Sequence, residues 1–264
     1  MFVPDLLKNK RILITGGGSG LGKTMARRCM ELGAVPIICS RREELLEETA
    51  AELAADTGGR IEWRGLDIRD PEAVESVVSS IWDDGPIDAL INNAAGNFLA
   101  RTETLSHRAV DAVLNIVMHG STYMTLACGK RWIEADKPGN VLSIITTYAW
   151  TGSAFVVPSA IAKAGVLAMT RSLAVEWGPK GIRLNAIAPG PFPTDGAWDR
   201  LVPNEKLAAA WAKRNPLGRV GDHKELADLA AYLLSDGSAY INGDAITIDG
   251  GEWLAGAGQF NLMH

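Results

Sequence analysis

Tyr148, Ser159 and Lys163 bring a phenol, an alkyl hydroxyl and an ammonium group into one stretch of the chain. Ser159 and Lys163 are four positions apart, so a helix over Ser159 to Trp177 sets them on one face. A phenol has a pKa of about 10 that a nearby ammonium can lower, whereas an alkyl hydroxyl is far less acidic. Tyr148 is therefore the candidate proton donor of the group, and Ser159 is not. Tyr148 follows the apolar run Asn140 to Ile145, and Asn97 follows the apolar run Ala89 to Asn92, each just past a strand-like segment. In a parallel sheet those C-terminal strand ends line the crevice where ligands bind.

A second constellation lies near the N-terminus. Arg11 to Thr15 leads into Gly16-Gly17-Gly18-Ser19-Gly20-Leu21-Gly22 and then a helical pattern. Glycines in such a turn let the backbone approach a pyrophosphate, whose charge then rests at the helix N-terminus. The strand, glycine and helix context makes this a dinucleotide site rather than a merely tight turn. About 20 residues further on, an NAD site usually carries Asp or Glu to hold the ribose 2'-hydroxyl. This chain has Ser40-Arg41-Arg42, and planar guanidinium donors suit a 2'-phosphate, with Lys23 adding charge nearby. NADPH is accordingly preferred to NADH; the competing reading makes Arg41 and Arg42 helix-start charges paired with Glu43 or Glu44. Asp67, after the third strand, is placed to meet the adenine. In Asn92-Asn93-Ala94-Ala95-Gly96, Asn93 and Ala94 stand where the backbone must pass close to the cofactor.

The elements that must position these groups alternate along the chain. Strands are expected at Arg11 to Thr15, Val35 to Cys39, Ile61 to Arg64, Ala89 to Asn92, Asn140 to Ile145, Arg183 to Ile187 and Ala245 to Ile248. Helical patterns cover Glu43 to Ala55, Pro71 to Trp82, Leu105 to Ile133 and Ser159 to Trp177. This is an α/β chain: a single Rossmann-type, doubly wound, parallel seven-stranded sheet with helices on both faces. At 264 residues, of which 47% are hydrophobic and 22% charged, residues 1–264 read as one domain. The stretch from about 190 to 221 is rich in Pro and Gly, with a helical patch at Leu207 to Arg214, and reads as a substrate-covering segment.

Composition narrows the partners. A net charge of -5 argues against nucleic acid, and no run reaches the length of a membrane span. Met1-Phe2-Val3-Pro4-Asp5 shows no signal segment, so a soluble, cytoplasmic protein is expected. Cys29, Cys39 and Cys128 form no Cys-x-x-Cys pair and suggest reduced, buried thiols. The histidines, His107, His119, His223 and His264, have no metal-ligand spacing, and no metal is expected.

The glycine turn, Asn92-Asn93-Ala94-Ala95-Gly96, Lys163, Asn185-Ala186-Ile187-Ala188-Pro189-Gly190 and Asp249-Gly250-Gly251 occur in the order found in short-chain dehydrogenases/reductases. The chain resembles that family across essentially its whole length. The resemblance implies that Pro189 and Gly190 border the nicotinamide and that Thr194 binds its amide. It also implies a catalytic set of Asn, Ser, Tyr and Lys, of which only Lys163 is present. The tyrosine position holds Ser159, the serine position Thr146 and the asparagine position Val117.

The substituted set resembles one branch, the NADPH-dependent 2,4-dienoyl-CoA reductases. The shared stretches are Ala94-Ala95-Gly96-Asn97-Phe98, Gly152 to Ala160, Pro189-Gly190-Pro191, and Gly251-Glu252 with the Gly-x-Phe-Asn tail at Gly258 to Asn261. That resemblance implies an acyl-CoA substrate whose thioester carbonyl is held by Tyr148 and Asn97, with Ser159 and Lys163 serving the cofactor side. It implies a homotetramer too, formed through the long helices after the fourth and fifth strands. Trp150, Phe155 and Pro191-Phe192-Pro193 offer an apolar wall for an acyl chain, or else belong to the core. Arg101, Arg200 and Arg219 are candidates for the CoA phosphates, and His119 has no assigned role. Two other functions compete: a carbonyl or 3-ketoacyl reductase using Tyr148 as its acid, and a catalytically silent NADP-binding scaffold.

Overall fold

The structure, a computed structural model, describes residues 2–194 and 213–255. Its centre is a seven-stranded parallel sheet: β1 (Arg11–Thr15), β2 (Val35–Ser40), β3 (Glu62–Gly65), β4 (Ala89–Asn92), β5 (Gly139–Ile144), β6 (Ile182–Pro189) and β7 (Ala245–Ile248). The strand order is β3-β2-β1-β4-β5-β6-β7. The winding reverses between β1 and β4, and that switch point opens a crevice beyond their C-terminal ends. Ile14 pairs with Ile38 on β2 and Ile91 on β4, so the glycine turn after Thr15 emerges at that opening.

The α-helices among the described residues are α1 (Gly20–Glu31), α2 (Glu43–Thr57), α3 (Pro71–Asp83), α4 (His107–Leu114), α5 (Gly120–Glu134), α6 (Tyr148–Thr151), α7 (Val157–Trp177), α8 (His223–Leu234) and α9 (Glu252–Ala255). Local chemistry sets several of their ends. Asp70 caps α3 by accepting from the Glu72 and Ala73 N–H groups, with Pro71 in the first turn. Asp222 and Glu225 form a capping box on α8, and Gly58 closes α2 at φ 67°. The period-2 strand pattern divides the core. Ile12 and Ile14 pack with α1, α2 and α8, while Leu13 faces the opposite layer with Val78 and Trp132. The three cysteines are free and buried, and burial pushes their thiols up to about 12.

Two regions differ from expectation. The helix expected over Leu105 to Ile133 starts after the N-cap Ser106 and is broken by a π-helical turn at Asn115–His119. The Gly120 N–H bonds the Asn115 carbonyl, which lets one extra residue into the helix. Gly120 must stay bare there, because a Cβ would stand 2.6 Å from the Ile68 side chain. Three residues after β5 the chain enters α6, a short helix that the sequence reading did not mark and that Tyr148 begins. Most of the expected covering segment, with residues 207–212 of the helical patch, lies outside the described residues.

Candidate active site

The nucleotide end is built largely of backbone. Gly16 and Gly20 take φ of 67° and 52°, conformations that L side chains resist. A Cβ on Gly22 would stand 2.3 Å from the Gly16 carbonyl oxygen and 2.6 Å from Asn93 Nδ2, so α1 and the turn are in direct contact. Asn93 supports this turn from within. Its Nδ2 donates to the Thr15 and Gly16 carbonyls at 3.0 and 3.3 Å, and its N–H donates to Thr15 Oγ1 at 3.0 Å. Ala94 N–H reaches the same hydroxyl at 3.0 Å. Ser19, the N-cap of α1, makes no side-chain cap bond, and the first turn holds no acidic residue. That helix end therefore keeps its N–H groups and positive dipole available to an anion, and the cradle fits a dinucleotide pyrophosphate.

The residues meant for the 2'-phosphate cluster beside it. The Arg42 N–H donates to Ser40 Oγ at 3.2 Å, and Arg42 Nη2 donates to Ser19 Oγ at 3.4 Å. Both arginines are exposed, and among the described residues neither forms an ion pair with Glu43 or Glu44. Arg69 binds the Asp67 carboxylate through Nε at 2.9 Å. That hydrogen bond, helped by the charge of Arg41, holds Asp67 below the usual carboxylate range. Asp67 thus faces this cluster already chelated by arginine. Lys23 does not join it: its ammonium pairs with Glu52 on α2 at 2.5 Å.

At the other end of the crevice, Tyr148, Ser159, Asn97 and Lys163 come together. The Tyr148 hydroxyl lies 2.9 Å from Ser159 Oγ and 3.5 Å from Asn97 Nδ2, the latter donating. Asn97 Oδ1 accepts the Phe98 N–H at 2.9 Å, which turns the Nδ2 side toward the tyrosine. Ser159 is fully buried on α7, and Lys163, one turn on, donates to the Ile144 carbonyl at the end of β5. Burial brings the Lys163 ammonium down to about 8. Thr146 Oγ1 is buried without a partner among the described residues. Val117 is buried against Val113 and Ala162, so that helix face offers only packing. With its serine and asparagine partners in place, Tyr148 can accept two hydrogen bonds and aim its own hydrogen outward at a substrate oxygen.

Residues 16–252 match the family described as Enoyl-(Acyl carrier protein) reductase. Among solved structures, a short chain dehydrogenase from Bacillus anthracis superposes with a TM-score of 0.86 and 45% identity, covering 92% of this chain and 96% of that one. The chain belongs to the short-chain dehydrogenase/reductase family. It is thereby an oxidoreductase. A relative named a probable 2,4-dienoyl-CoA reductase [(2E)-enoyl-CoA-producing], from Bacillus subtilis, is 46% identical over 94% of this chain and 98% of its own length. Another, from Caenorhabditis elegans and named as (3E)-enoyl-CoA-producing, is 45% identical over 93% of this chain and 81% of its own. A putative gluconate 5-dehydrogenase from Beutenbergia cavernae, solved with bound NADP, matches at a TM-score of 0.89 with 28% identity over 96% of this chain and all of that one.

Within this short-chain dehydrogenase/reductase the remaining residues sort by place. Gly190 passes so close to Asp249 that a Cβ would stand 2.6 Å from the Asp249 Cβ, and Thr194 rests against Gly20. Phe155 is 55% exposed at φ 65°, so it is not core, and its carbonyl accepts the Ala100 N–H at 3.0 Å. Phe192 packs inward, its ring against Gly221, and braces the chain instead of offering a free wall. Arg101 is exposed near Glu103, Arg219 is clamped by Glu225 at 2.6 Å, and Arg200 lies outside the described residues. Sequence reasoning missed Thr15, the hydroxyl under the turn, and Trp253, whose ring meets Trp150 edge-on at 5.7 Å. Each is defined by a contact between distant segments and leaves no mark in local spacing.

Proposed function

We propose that this short-chain dehydrogenase/reductase reduces a 2,4-dienoyl-CoA to a 3-enoyl-CoA with NADPH. The observation that carries the reading is the Tyr148 hydroxyl held between Asn97 Nδ2 and Ser159 Oγ while the helix position of Val117 is apolar. Gly16, Gly18, Ser19, Gly20, Leu21 and Gly22 would cradle the pyrophosphate, Ser40, Arg41 and Arg42 the 2'-phosphate, and Asn93, Ala94, Pro189, Gly190 and Thr194 would shape the nicotinamide half. When bound, NADPH supplies a hydride to Cδ of the dienoyl chain.

The electron pair displaced by that addition moves through the conjugated double bonds to the thioester oxygen, giving a dienolate. Tyr148 O–H and Asn97 N–H donate to that oxygen where its negative charge grows. Losing one such donor costs about 3–4 kcal/mol in other enzymes. Lys163 adds positive potential from behind the ribose. A proton delivered to Cα then closes the reaction as a 3-enoyl thioester, whereas delivery to Cγ would give a 2-enoyl thioester. Donors gathered at the thioester oxygen lie nearer Cα than Cγ, which favours the 3-enoyl product. Phe155 and the Trp150–Trp253 pair offer the acyl chain apolar surface at the mouth. Exposed Leu126 on α5 with Ile161 and Val175 on α7 supports assembly into a homotetramer. The reading places the protein in the cytoplasm, in the auxiliary steps of fatty-acid β-oxidation; no helix among the described residues is long and apolar enough to cross a membrane.

The test is NADPH oxidation with a 2,4-dienoyl-CoA and, in parallel, a 3-ketoacyl-CoA, with the product's double bond located by NMR. Turnover on the dienoyl thioester with a C3–C4 double bond in the product is expected. Turnover on the ketoacyl thioester alone would sink the reading in favour of a carbonyl reductase.

A further inference from the structure

Two passes of the chain meet beside the glycine turn. One leaves β6 through Pro191, Phe192, Pro193 and Thr194; the other arrives at α8 through Gly221 and Asp222. They are joined where the Gly221 N–H donates to the Pro191 carbonyl at 2.9 Å, with no room for a side chain on Gly221 because a Cβ would stand 2.3 Å from the Phe192 ring. His223, the first residue of α8, adds a second tie. Its Nε2 meets the Pro193 carbonyl, and its Nδ1 lies 3.4 Å from Thr24 Oγ1 on α1. The single hydrogen of Thr24 Oγ1 goes either to Nδ1 or to the Gly20 carbonyl, 3.1 Å away.

A carbonyl only accepts, so Nε2 carries the hydrogen in this arrangement. One imidazole thereby links the start of α8, the α1 end of the glycine turn and the carbonyl next to Thr194. Thr194 itself sits on Gly20, its Cβ and Cγ2 3.4 Å from where a Cβ would be. The Arg28–Asp228 ion pair, at 2.6 Å, locks α1 to α8 further along. His223 is then the side chain that ties the Pro193–Thr194 edge to α1 and α8.

We propose that His223 is a positioning residue for the dinucleotide: it holds Pro193 and Thr194 against the glycine turn and so sets the seat of the nicotinamide half of NADPH. The role rests on the NADPH reading of the site and is indirect, acting through Pro193, Thr194 and Thr24. It is specific to one end of the cofactor, because the Ser40–Arg42 cluster meets the turn at Ser19, whereas Thr194 meets it at Gly20.

The experiment titrates NADPH and adenosine 2',5'-bisphosphate, which has the 2'-phosphate end but no nicotinamide, into wild type and variants. His223→Ala is expected to weaken NADPH about three- to tenfold, the scale of one lost hydrogen bond, and to leave the bisphosphate as in wild type. His223→Gln, with an amide nitrogen near the place of Nε2, should recover NADPH affinity; His223→Asn, whose amide falls near Nδ1, should not. In steady state His223→Ala and His223→Asn should raise KM for NADPH and not KM for the thioester, while His223→Gln keeps the wild-type KM for NADPH. If His223→Ala does not fold, Thr24→Val carries the test, with a smaller loss confined to NADPH. Equal weakening of both ligands would reduce His223 to a general structural residue and overturn the proposal. NADPH bound by His223→Ala as tightly as by wild type would overturn it alone. Wild type that binds neither ligand would bring down the NADPH reading together with it.

Discussion

The two ends of the crevice are made of different material. At the nucleotide end the protein satisfies its own polar groups: Asn93 and Thr15 brace the turn, and Thr49 Oγ1 donates to the Gly18 carbonyl at 2.9 Å. At the opposite end Tyr148, Asn97 and Ser159 meet through side chains, Thr146 Oγ1 lacks a partner among the described residues, and Phe155 holds a left-handed backbone. A ligand that is always the same is met by backbone geometry, which tolerates little change. A reaction that differs from enzyme to enzyme is met by side chains on strand ends and loops, which can be replaced singly. That is how the tyrosine of the usual set can give way to Ser159 while the glycine turn stays whole.

The sharpest way to break this contrast is to intrude on the backbone end. Gly22→Ala drives a Cβ to 2.3 Å from a carbonyl oxygen that cannot move aside, so NADPH titration should show no saturation and thermal unfolding should shift down. A variant that bound NADPH normally would show the turn to be pliable. Arg42→Ala should weaken NADPH about 10- to 100-fold, the range for hydrogen bonds to a charged group, while NADH binding holds. Equal loss for both nucleotides would return Arg42 to the surface-charge reading.

Acidity sharpens the other end. Burial depresses the Lys163 ammonium to about 8, so its charge is intact below that pH and disappears as pH rises through it. With NADPH saturating, kcat should hold from about pH 6 to 7.5 and fall about tenfold per unit above about pH 8. A profile flat to about pH 10 would remove the lysine charge from the chemistry. The smallest effect is expected at Phe155. Phe155→Gly relieves a left-handed conformation but frees the unfolded chain, so urea unfolding should move by no more than about 1 kcal/mol. KM for a long-chain thioester should rise; an unchanged KM would take the ring out of acyl recognition.

The fold was legible because its signals are local. Apolar runs, glycines and caps mark each strand and most helix ends within a few residues. The glycine turn is marked in the same way. Long-range pairing was not legible. Nothing near Lys23 shows that Glu52 will claim it, and nothing near Asn93 shows that its amide turns inward to Thr15 and Gly16. The π-helical turn at Asn115–His119 depends on how Gly120 meets Ile68, a contact between separate segments. Ser159 is the most instructive residue. The family resemblance assigned it to the cofactor side, yet its Oγ lies 2.9 Å from the Tyr148 hydroxyl, so it also orients the tyrosine.

The central claim is that Tyr148 stabilises charge on a thioester oxygen rather than merely filling a strand end. The direct measurement is single-turnover hydride transfer from pre-bound NADPH to a 2,4-dienoyl-CoA, comparing wild type with Tyr148→Phe. The phenylalanine keeps the ring and removes only the hydroxyl. Hydride transfer should slow by about 10²- to 10³-fold, with NADPH affinity as in wild type. Transfer at the wild-type rate in Tyr148→Phe would contradict the account.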